Sequence, residues 1–450
     1  MTRVLFWNIE NFGINKIANP SAAPEPGTTN LTQAQASQQR LGYVRDLLTA
    51  AKADIVVVIE VSTGNDAPGR LCRDSGLEGS IRLLTEIRNV YGNDWMLVPP
   101  LQTGTGEAVS VFYQSKLRYF TGPYLWPGGP AAISTAPGVG ATGAYPDELK
   151  NRMPDRAIPN DAQYNAKVAE NRCAARIGFT YRTGHPHKKQ QINWGTTRRP
   201  YMVTFAETDK AVAPTVLRDL TLFAIHAPAK YLPAVVNMKR LKNMAEIDDA
   251  PAEMEARLVI GDFNLNLMNK AFAKTADYKL LEEIKYKLAL APAEPLPASL
   301  EGYAGYFATH IRGRHSASCW SSQGKTVYYP GYDYIGSDGD MGANLYAIDN
   351  AYTKHGAKAN PPAVNNVTIL NAIARTPFLV GKKGAQKYGS GPPGTVPMPR
   401  LIDWPGPARP MYPPAEGPPQ TIGLVKDFRS WDQYGRIRST SDHLPLVIDI

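Results

Sequence analysis

The sequence predicts an α/β fold. Short runs of β-branched and apolar residues, which are typical of buried strands, alternate with stretches whose apolar residues recur at helical spacing. Two long segments rich in Gly and Pro, 122–200 and 352–430, interrupt this alternation. Such long loops are uncommon within compact domains and are usually functional or disordered, so we expect a single domain, 1–450, with two irregular insertions.

The first part of the chain alternates strands with helices. Residues 54–61 form a continuous β-branched run, typical of a strand that is buried on both faces. Residues 33–52 are a predicted helix because Val44, Leu47, Leu48 and Ala51 fall on one face. A second helix is predicted at 79–91, and further strands at 4–9, 95–101 and 107–113.

Regular structure returns after the first insertion. One further helix is predicted around 235–247, from the phase of its apolar residues. Strands are predicted at 201–206, 222–226, 257–262, 332–335, 345–347 and 446–450. The sequence shows no repeat of fixed period.

The charge is unevenly distributed along the chain. Residues 122–200 hold 11 Lys and Arg against 5 Asp and Glu, and residues 352–430 hold 10 against 3. The insertions therefore carry +6 and +7, which leaves the remainder at −4 of the total of +9. A basic surplus confined to two loops favours a polyanionic partner such as nucleic acid, although a solvated basic surface is the plainer alternative.

The remaining composition limits the class of protein. The three cysteines are widely spaced, which argues against a disulfide framework or a CxxC zinc site. No apolar run approaches a membrane span, and the N-terminus lacks the apolar core of a secretory signal. We therefore expect a cytoplasmic protein, monomeric by default.

Polar and ionisable residues lie at the ends of the predicted strands, and Asp442 and His443 immediately precede the last strand. Residues at strand ends share one edge of a sheet, where a rigid scaffold can hold them. Any one of them could be a turn former or a helix cap, but the repetition along one chain favours a shared site. The residues are Asn8, Glu10, Glu60, His226, Asp262, Asn264, Asp442 and His443.

These residue types suit metal-assisted hydrolysis of a phosphate ester. Carboxylate and amide oxygens bind hard cations such as Mg²⁺. Such an ion neutralises the anionic phosphate, a carboxylate can orient or deprotonate the attacking water, and a histidine can donate a proton to the phosphoryl oxygens.

Four short motifs in this order resemble the signature of the endonuclease/exonuclease/phosphatase superfamily, the deoxyribonuclease I-like fold. They are the run at 6–13 (Phe-Trp-Asn-Ile-Glu-Asn-Phe-Gly), the strand that contains Glu60, the run at 261–264 (Gly-Asp-Phe-Asn) and the run at 441–445 (Ser-Asp-His-Leu-Pro). The resemblance runs from residue 1 to residue 450, with gaps at the insertions. It implies a four-layer α/β sandwich of two mixed β-sheets flanked by helices, with a Mg²⁺ or Mn²⁺ site at one end.

The resemblance assigns the metal-binding positions. Glu60 is similar to the main metal-binding glutamate of the family. Asn8 resembles an asparagine near the metal and the phosphate, and Glu10 matches a position that is often acidic. Asp442 resembles a metal ligand or its close support.

It also assigns catalytic positions. Asp262 resembles the aspartate that positions the attacking water, and Asn264 the asparagine that contacts the phosphate. His443 resembles the histidine that contacts the scissile phosphate, and Asp333 the aspartate that orients that histidine.

Three more residues bear on the substrate. His226 resembles a second histidine, proposed as the general acid in the deoxyribonuclease I branch, and Glu107 the glutamate that supports it. Arg198 resembles a phosphate-contacting arginine. These matches favour a DNA endonuclease, with DNA more expected than RNA. A phosphatase or phosphodiesterase acting on a phospholipid or a small phosphorylated molecule, an RNase, and a binding protein without activity stay open as alternatives.

Overall fold

The computed structural model describes the core of the chain. The described residues are 1–17, 30–31, 33–64, 68–69, 72–115, 118–122, 178–188, 190–208, 216–267, 274–290, 309–311, 326–327, 345–359, 367–369 and 440–450. The predicted strand at 332–335 lies outside them, as does most of both predicted insertions.

Within these ranges the strands and helices follow in chain order. The strands are β1 (Arg3–Phe12), β2 (Asn30–Leu31), β3 (Ile55–Ser62), β4 (Trp95–Gly104), β5 (Glu107–Gln114), β6 (Arg118–Gly122), β7 (Tyr201–Thr208), β8 (Val216–His226), β9 (Glu255–Asp262), β10 (Lys287–Leu288), β11 (His310–Ile311), β12 (Thr326–Val327), β13 (Leu345–Tyr346), β14 (Asp349–His355), β15 (Val367–Ile369) and β16 (Leu446–Asp449). The helices are α1 (Ile14–Ile17), α2 (Gln33–Ala51), α3 (Asp74–Tyr91), α4 (Tyr231–Lys242), α5 (Ala245–Asp248) and α6 (Lys279–Glu282), and a 3₁₀ turn spans Ala276–Tyr278.

Two mixed six-stranded sheets form the centre of the molecule. The first has the order β15-β16-β1-β3-β5-β4, and the second has the order β10-β14-β9-β8-β7-β6. Each contains one parallel pair, β1 with β3 and β8 with β9, among antiparallel neighbours. The sheets pack face to face, as the contact between the rings of Tyr113 and Phe205 illustrates, and the helices flank them. The expected α/β sandwich of two mixed sheets is confirmed.

Helix α3 begins five residues earlier than its hydrophobic pattern predicts. Glycines weaken a helical pattern, but here Gly76 and Gly79 allow close packing. A Cβ atom at Gly76 would overlap the carbonyl oxygen of Ser62, and one at Gly79 would lie 2.8 Å from the backbone of Gly13. These glycines bring the helix against the ends of β1 and β3, where Glu10 and Glu60 are located.

The second predicted insertion begins inside a core strand. Residues 352–355 belong to β14, which pairs antiparallel with the whole length of β9. Its sequence, Asp-Asn-Ala-Tyr-Thr-Lys-His, is too polar to indicate a buried strand, yet Asn350 is fully buried. The Asn350 side chain accepts a hydrogen bond from the Leu290 amide (3.0 Å) and donates one to the Leu290 carbonyl (2.9 Å), as a neighbouring strand would.

Candidate active site

The strand-end residues meet at one end of the sandwich because of the strand directions. The regular pairing of the parallel strands β1 and β3 is interrupted after Asn8 and Ile59, next to Glu60, and the parallel pair β8 and β9 ends with His226 opposite Asp262. Strand β14 is antiparallel to β9, so its first residue, Asp349, also lies opposite Asp262. One end of two facing sheets thus gathers acids, amides and histidines from distant parts of the chain.

Three site residues have a left-handed backbone, which L-residues rarely adopt. The φ angles are 50° at Glu10, 58° at Glu60 and 50° at Asn264. The pairing of β1 with β3 is also irregular after Asn8. A non-glycine residue in this region costs about 1–2 kcal/mol, and such positions cluster at functional sites because they redirect side chains.

The carboxylate of Glu60 is held from three sides. Its Oε1 accepts a hydrogen bond from Asn8 Nδ2 (3.0 Å), and its Oε2 accepts one from the Asn11 amide (3.1 Å). The Nε2 atom of His226 lies 3.3 Å from Oε1. Glu60 and Asn8, both predicted metal ligands, are therefore adjacent.

The charge of Lys16 interacts with three of the predicted metal-binding acids. Burial lowers the pKa of Lys16 to about 8, while the charges of Glu10, Asp442 and Glu60 act in the opposite direction. Carboxylate and amide oxygens are hard donors of the kind that Mg²⁺ or Mn²⁺ prefers. The assignment of Glu60, Asn8, Glu10 and Asp442 as ligands stays a prediction.

His443 is fixed by the backbone of β1 and by one aspartate. Ser441 Oγ donates to the Asn8 carbonyl (2.6 Å) and accepts from the His443 amide (2.8 Å), while Trp7 Nε1 donates to the His443 carbonyl (2.9 Å). The Nδ1 atom of His443 lies 2.8 Å from Asp349 Oδ2. Burial lowers the pKa of His443, but Asp349, Asp262 and Asp442 outweigh burial and raise it to about 10.

Among the described residues, the aspartate that contacts His443 Nδ1 is Asp349. The sequence assigned the role of orienting this histidine to Asp333, which lies outside the described residues, so that assignment stays a prediction. The sequence did contain a signal for Asp349, since this acid comes two residues after the predicted strand 345–347.

Asp262 lies between the two histidines. Its Oδ2 atom is 3.7 Å from His226 Nε2 and 3.7 Å from His443 Nε2. Burial raises the pKa of Asp262 to about 6, although the two imidazolium charges act in the opposite direction. Asn264 donates two hydrogen bonds to the same carboxylate, one from its backbone amide (2.8 Å) and one from its side-chain Nδ2 (3.0 Å).

His226, Glu107 and Arg198 form a second network. His226 Nδ1 lies 2.9 Å from Glu107 Oε2, and Arg198 forms an ion pair with the same carboxylate. Burial raises the pKa of Glu107, but His226 and Arg198 outweigh it and lower that pKa to about 2. Burial lowers the pKa of His226, and Glu107, Glu60 and Asp262 reverse this and raise it. Arg198 is therefore connected to the site by its ion pair with Glu107.

A further histidine, His310, was not expected from the sequence. Its Nε2 atom lies 3.4 Å from Asp442 Oδ2, and its ring meets the ring of His443 edge to face, with centroids 4.8 Å apart. No periodicity or motif marks residues 309–311, so pairing with distant strands alone brings His310 to the site.

The solved structures to which this chain is similar include the following three. The structure of D. rerio TDP2 complexed with single strand DNA product has 8% identity and a TM-score of 0.37, and the match covers 99% of this chain and 97% of that one. An endonuclease/exonuclease/phosphatase family protein from Leptotrichia buccalis has 8% identity and a TM-score of 0.35, with 100% and 99% covered. SmcL has 10% identity and a TM-score of 0.36, with 99% and 98% covered.

No family model and no curated protein matches the sequence. The two mixed six-stranded sheets of this chain are the arrangement that the resemblance to the endonuclease/exonuclease/phosphatase superfamily implies. Among the described residues, no helix is long and apolar enough to cross a membrane.

Proposed function

We propose that the protein is a divalent-metal-dependent phosphodiesterase that hydrolyses the DNA backbone with an activated water. The observation that carries this proposal is the position of Asp262 Oδ2, which lies 3.7 Å from the Nε2 atoms of both His226 and His443. Hydrolysis of a phosphodiester needs a proton acceptor for the attacking water and a proton donor for the leaving oxygen, and Asp262 and the two histidines would supply both.

The pKa directions match this division of roles. Asp262, with a pKa of about 6, is ionised at neutral pH and more basic than an ordinary aspartate, so it suits the acceptor of a proton from water. The raised pKa values of His226 and His443 favour imidazolium ions. His443 would donate to the phosphoryl oxygens, and His226, supported by Glu107, would protonate the leaving oxygen.

The predicted metal ligands complete the site. Glu60, Asn8, Glu10 and Asp442 would hold Mg²⁺ or Mn²⁺, which would offset the negative charge of the phosphate and the charge that develops on it during attack. Asn264 donates two hydrogen bonds to Asp262 and keeps that carboxylate oriented, and its predicted contact with the phosphate would be made from the same position.

The charge distribution supports DNA as the substrate. The segments 122–200 and 352–430 hold +13 of formal charge, whereas the rest of the chain is at −4. The phosphate backbone of DNA binds such loops with little dependence on base sequence. The same site chemistry would also serve an RNase or a phosphodiesterase acting on lipids.

A substrate panel tests the proposal. Purified protein with Mg²⁺ or Mn²⁺ is expected to nick supercoiled plasmid, and a chelator should abolish the nicking.

His443→Ala should lower the rate by at least about 100-fold, because a positioned acid or base contributes about 10²–10⁴-fold. The matched control is His187→Ala, which alters an exposed histidine outside the site. Release of product from RNA, phosphoinositide or sphingomyelin with intact plasmid would contradict DNA as substrate.

A further inference from the structure

His310 lies beside the catalytic histidine through backbone pairing. Strand β11 pairs with β13, and His310 also forms a bridge with His443. The Leu444 amide donates to the Thr309 carbonyl (2.6 Å), and Thr309 Oγ1 accepts from the Asp349 amide (2.9 Å). These bonds fix the relative positions of the segments that carry His310, His443 and Asp349.

The side chains of His310, Asp442 and His443 form a compact group of donors. Asp442 Oδ2 lies 3.4 Å from His310 Nε2, and Asp442 Oδ1 lies 3.7 Å from His443 Nε2. One donor atom from each residue lies within 4.8 Å of the other two. The His310 and Asp442 side chains are 17% and 21% exposed, so an ion from solvent can reach the group.

The chemistry of this group distinguishes between metal ions. One donor atom from each residue is near enough to the other two for the three to bind a single ion. Two imidazoles with one carboxylate are a common set of ligands for Zn²⁺, whereas Mg²⁺ prefers oxygen.

We propose that His310, Asp442 and His443 form a second cation site that selects Zn²⁺ over Mg²⁺ and overlaps the catalytic site. An ion bound there occupies His443 Nε2, the atom that faces the phosphate, and shares Asp442 with the predicted Mg²⁺ ligands. Zn²⁺ is therefore an inhibitor that competes with the phosphodiester. The binding site itself stands on the geometry, and only its inhibitory effect depends on the proposed function.

Calorimetric titration with Zn²⁺ in excess Mg²⁺ tests the binding site without any substrate. The native protein should bind one Zn²⁺ at this site, and His310→Phe, which keeps a ring at the position but removes its nitrogens, should bind at least about 100-fold more weakly, since loss of even an outer-shell partner costs 10–100-fold. His187→Phe removes an exposed histidine elsewhere and should bind Zn²⁺ as the native protein does.

Cobalt gives a spectroscopic readout of the same site. Co²⁺ in a tetrahedral nitrogen and oxygen site has strong visible absorption, which His310→Phe should remove and Zn²⁺ should displace. His310→Gln serves as a second variant, and thermal unfolding of both variants shows that each is folded before it is titrated. Equal Zn²⁺ affinity in native protein and both variants, or only the weak spectrum of octahedral Co²⁺, would overturn the proposal.

Inhibition is measured separately. With Mg²⁺ present, the Zn²⁺ concentration that halves plasmid nicking should rise in His310→Phe by the same factor as the dissociation constant, with each rate normalised to that variant's own rate without Zn²⁺. Zn²⁺ that binds through His310 but leaves nicking unchanged would overturn the overlap with the catalytic site. If the protein nicks no DNA, the calorimetry and the cobalt spectrum still decide whether the cation site exists.

Discussion

The protonation state of His443 depends on the acids around it. Asp349 Oδ2 lies 2.8 Å from Nδ1, while Asp262 and Asp442 each lie 3.7 Å from Nε2. This arrangement raises the pKa of His443 to about 10 against the effect of burial. Asp349 therefore contacts the ring and stabilises its positive charge. The sequence assigned the role of orienting this ring to Asp333.

The first prediction compares the two aspartates. Asp349→Asn keeps the shape of the side chain but removes its charge, so it should lower the rate of phosphodiester hydrolysis at least about 100-fold below that of Asp333→Asn. The His443 pKa should fall in Asp349→Asn because the imidazolium loses its nearest counter-charge.

The measurement is a pH–rate profile of both variants with a chromogenic phosphodiester and Mg²⁺. Activity that needs the His443 imidazolium is present below its pKa and lost above it, so the alkaline limb should move to lower pH in Asp349→Asn. A larger loss of rate in Asp333→Asn would show that the orienting aspartate is Asp333 after all.

At the scale of elements, the parallel pair β8 and β9 positions both His226 and Asp262. Gly261 lies one residue before Asp262, directly opposite Ile225 in the register of the two strands. A Cβ atom at Gly261 would overlap the carbonyl oxygen and the side chain of Ile225. The glycine therefore permits the close approach of two strands at the point where the site begins.

The second prediction compares two glycine substitutions. Gly261→Ala should lower the free energy of unfolding by about 1–3 kcal/mol, because overpacking pushes the strands apart, and it should also reduce hydrolysis. Gly42 lies within helix α2, and a Cβ atom added there would meet no atom within 4 Å. Gly42→Ala should therefore stabilise the protein by about 0.5–1 kcal/mol.

Urea unfolding of both variants gives these free energies, and rates measured under folding conditions give the activity. The close approach would be unimportant if Gly261→Ala matched Gly42→Ala in stability and kept the native rate.

At the scale of the whole molecule, most of the candidate site and most of the basic charge occupy different parts of the chain. All the candidate site residues except Arg198 come from the slightly acidic remainder, whereas the two predicted insertions carry the basic surplus. Chemistry and substrate affinity should therefore respond to different substitutions.

The third prediction concerns the densest lysine pairs of the insertions. Replacing Lys188, Lys189, Lys382 and Lys383 with Ala should weaken binding to DNA and reduce the slope of log K against log salt by roughly 3–4, if each lysine contacts a phosphate. The control variant removes the same charge from exposed lysines of the core: Lys239, Lys279, Lys285 and Lys287.

Fluorescence anisotropy of a labelled duplex at several salt concentrations measures the slope. Equal slopes for both quadruple variants would mean that net charge, and not the position of the insertions, governs the binding.

The sequence alone determined the class of fold and indicated most of the residues of the candidate site. Buried strands such as β3 and β9 appear as apolar runs because both of their faces are covered, and the polar residues that end them are visible at once. Helix α2 was predicted to within one residue for the same kind of reason, since its apolar residues repeat with the helical period.

Only the tertiary structure decided the partners within the site. Asp349 begins a strand whose polar sequence hides it, and Asn350 can be buried there because the backbone of Leu290 satisfies its side chain with two hydrogen bonds. His310 lies in a two-residue strand that distant pairing creates. Sequence patterns record which face of an element is buried, but they do not record which remote side chain a buried polar group meets, because that depends on how the sheets pack.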